Sequence, residues 1–311
     1  MSSAHHRRRV RGRGRAPYAS ALVAGAVALV GALVLLHAQV WPGRPPSPAA
    51  STPTTAAPAP SSTTTTPANP LGPALQRLIA TRSGHIAIMV LNLDSGQRVA
   101  VGSTVAQVEA STVKVEILAA LLAESRGRDR ALTASQRLLA QEMIEESDNA
   151  AATQLWQDVG AARGMTRFDQ RVGLSSTTPS QCVTCAGFAW PGWGLTTSTP
   201  HDQLKLLRDI VCGGAGWSPR DRSYMLHLME SVVPSERWGV SAGVPASATV
   251  AIKNGWLPLN AADTDWQINS EGWVHGAGRN YLLAMMSTRN SSEQYGIDTL
   301  DDAAALVWRF E

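Results

Sequence analysis

The chain has 311 residues, 44% of them hydrophobic and 16% charged, the profile of a globular protein with room for one large core or two lobes rather than of a disordered or collagen-like chain. The net charge of +3 is uneven, because residues 1–70 hold seven arginines and no acid, leaving 20 basic against 24 acidic residues beyond them. The basic excess is therefore no nucleic-acid footprint, and three cysteines are too few to staple a small disulfide-rich fold.

Residues 1–18 form a basic stub carrying Arg7, Arg8, Arg9, Arg11, Arg13 and Arg15. Residues 19–41 read ASALVAGAVALVGALVLLHAQVW, without a charge. A helix of about 22 residues is roughly 33 Å long, enough for a hydrocarbon core of about 30 Å. Arginines on one side and only Arg44 on the other predict a cytoplasmic N-terminus with the rest of the chain outside. The alternative is a cleaved signal peptide, although Leu36-His37-Ala38 fits a small-x-small cleavage site poorly. Either route delivers an extracytoplasmic domain, membrane-attached in the first case and secreted in the second. Residues 42–70 contain nine of the eighteen prolines and eleven serines or threonines. Such a stretch buries too little apolar surface to order itself and predicts a solvated linker, about 90 Å long if extended at about 3.1 Å per residue.

A domain follows over 71–311. Residues 71–82 have helical apolar spacing, and His85–Asp94 is strand-like, ending in the turn Asp94-Ser95-Gly96 with QRVAVG returning. Helices are predicted from Ser111, from Thr133 and after Asp148. Late strands are predicted at Ala248–Trp256, Trp266–Val274 and Tyr281–Ser287. Strands at both ends with helices between them predict an α+β fold, an antiparallel sheet beside a helical lobe, with a site between the two.

Three short motifs carry candidate chemistry. In Ser111-Thr112-Val113-Lys114 a hydroxyl and an amine sit three residues apart on one helix face. A serine hydroxyl is a poor nucleophile until a neighbour takes its proton, and lysine does so only when desolvation or another cation lowers its pKa below about 10.4. Ser147-Asp148-Asn149 opens the next-but-one helix, where its plainest role is an N-cap. Lys253-Asn254-Gly255 ends an alternating strand and reads most simply as a turn. Yet the chain has only three lysines, and Lys205 alone falls outside these motifs.

In this order the motifs resemble the S-x-x-K, S-D-N and K-T-G set of class A β-lactamases and penicillin-binding proteins. The likeness spans about residues 72–311, including SDNAA at a helix start and Thr196-Thr197-Ser198-Thr199-Pro200 before another. The resemblance implies the β-lactamase/transpeptidase-like fold and a shared mechanism. Ser111 would be acylated by a β-lactam or a peptidoglycan-like amide, Lys114 would accept its proton, and Ser147 would relay that proton to the leaving nitrogen. Asn149 would hold the substrate amide and Lys114. Lys253, with Asn254 and Gly255 beside it, would bind the substrate carboxylate and depress the Lys114 pKa. The backbone N–H groups of Ser111 and Trp256 would form the oxyanion hole. No metal or organic cofactor and no nucleic acid is implied; the partners would be a small-molecule β-lactam or peptidoglycan peptide and, through residues 19–41, the membrane.

The pattern breaks where class A enzymes carry their deacylating glutamate, since Gln170–His201 contains no Asp or Glu. His201 and Asp202 are conceivable substitutes. Without such a base, which typically contributes about 10²–10⁴-fold, slow deacylation is expected. A true class A β-lactamase with another base, and a non-catalytic binding or sensor module, are the rival readings. Asn254 stands where the pattern has threonine. Cys182 and Cys185 lie in the altered loop, and outside the cytoplasm a disulfide is expected, with Cys212 paired to one of them and one thiol left over. A C-x-x-C zinc site would lack two ligands. Trp190, Trp193, Trp256 and Trp273 fall near the presumed cleft, as packed core by default or as an aromatic rim.

Overall fold

The computed structural model describes residues 69–311 apart from 183, 186–188, 261 and 263. The basic stub at 1–18, the apolar segment at 19–41 and all of the linker before residue 69 lie outside the described residues. Among those described, no helix is long and apolar enough to cross a membrane.

Helix α1 (Leu71–Ile79) buries Leu71, Ala74 and Leu75 and stops short of residue 82 because the chain reverses around Gly84, whose φ is +98°. Strands β1 (His85–Asn92) and β2 (Arg98–Gly102) form a hairpin. Its turn is closed by the Asn92 side chain, which accepts from the N–H groups of Asp94 and Ser95 at 3.0 and 2.8 Å, a common use of Asn in turns. After the two-residue β3 (Gln107–Val108), a 3-10 turn over Ala110–Thr112 leads into α2 (Val113–Gly127). The run VKVEILAALL is apolar nearly all round, and such a helix belongs in an interior; every residue from Val113 to Leu122 is buried.

Helices α3 (Ala134–Glu145), α4 (Asn149–Asp158) and α5 (Ala161–Val172) follow. Thr133 and Gln136 make a reciprocal capping box at α3, and Asp148 caps α4 by accepting from Ala151 N–H at 2.6 Å. Beyond a long loop come β4 (Thr197–Ser198), α6 (Pro200–Cys212) and α7 (Pro219–Glu230). The chain closes with β5 (Ala248–Pro258), β6 (Trp266–Gly276), β7 (Arg279–Asn290) and α8 (Glu293–Phe310). The late strands extend two or three residues past the alternation in the sequence.

The five long strands pair antiparallel in the order β2-β1-β7-β6-β5. Side chains alternate across the sheet, so β7 sends Leu282 and Ala284 into one apolar cluster and Tyr281, Leu283 and Met285 into another. The first cluster is shared with α2 to α7, the second with α1 and α8. The fold is the expected α+β arrangement, an antiparallel sheet with a helical lobe on one face and the terminal helices on the other. A short ribbon, with Val108 paired to Thr197, ties the segment before Ser111 to the segment before α6.

Candidate active site

Ser111 sits in the 3-10 turn, one residue after Ala110, whose φ of 50° is left-handed and unusual for a residue with a side chain. The turn is held by Glu109, whose carbonyl accepts from the Thr112 hydroxyl at 2.8 Å and the Thr112 N–H at 3.2 Å. Strand β5 passes against it at Gly255. A Cβ there would lie 2.6 Å from the nitrogen of Ser111 and 2.7 Å from that of Thr112, so only glycine allows the approach.

The other motif residues converge on one hydroxyl. The Lys114 ammonium donates to the Ser147 carbonyl at 2.5 Å, the Ser147 hydroxyl at 3.1 Å and the Asn149 Oδ1 at 2.9 Å. The Lys253 ammonium donates to the same Ser147 hydroxyl at 2.9 Å and to the Asn254 carbonyl at 3.1 Å. Ser147 has φ 57°, and Asp148 beside it caps α4, so the motif is at once an N-cap and part of the site. Lys114 comes from the buried face of α2 and Lys253 from β5, and both are fully buried. Asn149 and Ser111 line one cavity together with Ala110, Trp190, Pro191, Trp193, Gly194, Trp256 and Leu257.

Two buried ammonium groups sharing an acceptor cannot both be comfortable. Burial, and then repulsion by Lys253, hold Lys114 well below the usual lysine range, with Glu236 and Asp148 pulling the other way. Burial brings Lys253 down to about 8, against the attraction of Glu236 and Glu271. Of the two causes the sequence offered for a lowered lysine, desolvation outweighs repulsion by the second cation.

Several placements depart from expectation. The Asn254 amide is fully buried and donates to the carbonyls of Glu236 and Trp238 at 2.7 and 3.1 Å, because side chains alternate along β5 and Asn254 points away from the face of Lys253. His201 lines a different cavity, beside β1 and β2. Asp202 is buried and accepts from Ser176 N–H at 2.6 Å and the Thr177 hydroxyl at 3.1 Å; it organises the loop rather than facing Ser111. The disulfide joins Cys182 to Cys185, whose Cα atoms lie 5.5 Å apart, and Cys212 is a free, exposed thiol. The expected pairing of Cys212 with either partner is thus overturned: the two loop cysteines, three residues apart, already sit within bridging distance. Trp190, Trp193 and Trp256 line the cavity, whereas Trp273 stacks on His275 at 3.9 Å and donates to Asn280.

Sequence reasoning also missed a set of buried acids behind the lysines. Glu109, Glu116, Asp169 and Glu271 are all buried, and burial raises each carboxyl, that of Asp169 to about 7. Glu271 is the cross-strand neighbour of Lys253. Glu236, nearer the lysines, is raised by burial and lowered by both of them. The visible signal was an acid at an apolar position, Glu116 inside the run around α2 and Glu271 inside a strand.

The family model described as the beta-lactamase enzyme family matches residues 70–138 and 126–310. A protein of Mycobacterium tuberculosis named as a lipoprotein, LppW, is 27% identical over 237 residues, 74% of this chain and 71% of that one. Among solved structures, an ancestral class A beta-lactamase superposes with a TM-score of 0.66 at 22% identity, covering 77% of this chain and 99% of that one. A protein designated PBP-A gives 0.65 at 23%, covering 78% and 96%.

Proposed function

The chain belongs to the beta-lactamase enzyme family, and from that premise we propose that it is an extracytoplasmic serine hydrolase or acyltransferase, acylated at Ser111 by β-lactams or peptidoglycan-like amides and slow to release the acyl group. The observation that carries the reading is the meeting of Lys114 and Lys253 on the Ser147 hydroxyl, with Asn149 joining Lys114 to the cavity that Ser111 lines.

The chemistry follows from who donates to whom. A depressed pKa gives Lys114 an uncharged fraction able to take the Ser111 proton as Oγ bonds to the substrate carbonyl carbon. Ser147 accepts from both lysines, which leaves its own proton free to move to the leaving nitrogen as the C–N bond breaks, with Lys114 returning the proton it took. Lys253, kept charged, serves the substrate carboxylate. The N–H groups of Ser111 and Trp256 receive the oxyanion; Gly255, by letting β5 approach the turn, brings these two backbones together. The loop Gln170–His201 offers no acid to activate water, and this supports slow release. The division into a basic stub (1–18), an anchor (19–41), a linker (42–70) and a hydrolase domain (71–311) is part of the same reading, and the lipoprotein name of the mycobacterial relative supports a membrane-attached domain outside the cytoplasm.

The test is intact-mass spectrometry of the full-length protein after a penicillin pulse, with Ser111→Ala alongside. An adduct on the parent alone that persists for hours is expected. Rapid multiple turnover of a chromogenic cephalosporin would instead make the protein a working β-lactamase. No adduct would leave a binding module, and adducts on both proteins would defeat the assignment of Ser111.

A further inference from the structure

Trp193 is 2% exposed and stands over the Lys114 ammonium, its ring centroid 5.1 Å from Nζ. Beside the three Lys114 hydrogen bonds to Ser147 and Asn149, the indole ring packs over the amine. The indole N–H donates to the Thr153 hydroxyl at 3.0 Å, and that hydroxyl donates to the Asn149 carbonyl at 2.8 Å. The ring is therefore tied to the same helix start that holds Lys114.

The backbone around Trp193 is equally fixed. Thr196 N–H returns to the Trp193 carbonyl at 3.1 Å, and Glu109 N–H, two residues before Ser111, donates to the Thr196 carbonyl at 2.8 Å. Gly192 packs so closely on the disulfide segment that a Cβ would lie 2.1 Å from the Cys182 carbonyl oxygen and 3.0 Å from the Cys185 sulfur. In the cavity beside Ser111, lined by Trp190, Trp193 and Trp256, the centre of a water-sized sphere has only about 10 Å³ to move in, at the bottom of the roughly 10–15 Å³ that one water requires.

We propose that Trp193 is the positioning residue that keeps hydrolytic water from the acylated Ser111, occupying the space beside Lys114 from which water would attack. The inference rests on acylation at Ser111 and supplies a physical cause for slow release beyond the missing acid. The suppressed step balances simply: a water oxygen bonds to the acyl carbon and the bond from that carbon to Ser111 Oγ breaks. A water proton passes to the uncharged Lys114 amine, which then returns it to Oγ. In this scheme Lys114 supplies the base, and what Trp193 denies is the water.

The experiment follows adduct lifetime by intact mass in the full-length protein after a penicillin pulse, for the parent, Trp193→Ala, Trp193→Phe and Thr153→Val. Trp193→Ala is expected to shorten the lifetime at least about 10-fold, a lower share of what a positioned base usually contributes. Its decay should rise with pH and level off once Lys114 is uncharged, whereas hydroxide attack in a merely loosened fold would keep rising about tenfold per pH unit. Trp193→Phe, which keeps an aromatic ring, should give an intermediate lifetime, and Thr153→Val, which frees the indole, a severalfold shorter one. If Trp193→Ala does not fold, the Phe and Val variants decide the matter. An adduct on Ser111 with the same lifetime in every folded variant overturns the role of Trp193 and leaves acylation standing. No adduct on any protein, parent included, overturns both.

Discussion

Ser147 accepts hydrogen bonds from two lysines while its backbone sits at a left-handed φ of 57°, and strain of that kind persists only where the surroundings over-determine it. Among the described residues its hydroxyl is the acceptor the two ammonium groups share, so its loss should cost more than a contact. Ser147→Ala is expected to slow penicillin labelling of Ser111 by about 100-fold or more, read as adduct formation against time. Under the proposed acylation the two lysines would also set opposite limbs of the pH profile. Lys114 works uncharged, so labelling rises with pH on a limb displaced below the ordinary lysine range. Lys253 works charged, so labelling falls again above about 8, where it deprotonates. Because a guanidinium stays protonated at every accessible pH, Lys253→Arg should abolish the fall on the alkaline side. A decline that survives this substitution would assign that limb to another group.

At the scale of elements, the site depends on how closely β5 runs beside the turn before α2. Gly255→Ala would place a methyl within 2.8 Å of three backbone atoms, the nitrogens of Ser111 and Thr112 and the Glu109 carbonyl oxygen. Backbone cannot swing aside as a side chain can, so overpacking of about 1–3 kcal/mol is expected, seen as a lower Tm. The displaced turn should reduce Ser111 labelling by more than the lost stability explains. The motif residues were legible in the sequence because each is bound to a local device that reads at short range: Lys114 to a buried helix start, Ser147 and Asn149 to the cap formed by Asp148, Lys253 to an alternating strand. Fold class was legible for the same reason, strands at both ends and helices between. What could not be read depends on contacts between distant segments. Trp193 meets Lys114 across 79 positions of chain, and the direction of the Asn254 amide follows from the register of β5. The disulfide partner was misjudged because spacing alone does not say which cysteine the loop brings near.

On the scale of the whole molecule, the sheet is assembled from both ends of the domain and the helical lobe docks on one face of it, with Glu109, Glu116, Asp169 and Glu271 buried where lobe and sheet meet. A protonated Glu116 can donate to Asp169, whose own carboxyl is raised by burial to about 7. The sign of the consequence follows from proton counting. Each of these acids has a higher pKa folded than unfolded, so between those values the native state holds more protons and stability is lost as pH rises. For Asp169 the window runs from 3.8 to about 7. Lys114 and Lys253 contribute in the opposite sense, both held below the ordinary 10.5; the Lys253 gain comes only above about 8, and Lys114 offsets part of what the four acids lose. The domain should therefore melt higher at pH 5 than at pH 7.5, by more than about 4 °C, the shift that ~1–2 kcal/mol produces at this size. Asp169→Asn, which cannot ionise, should flatten that slope, as read by thermal unfolding across the pH series. An unchanged slope in Asp169→Asn would mean that the seam between lobe and sheet does not carry its protons on this pair.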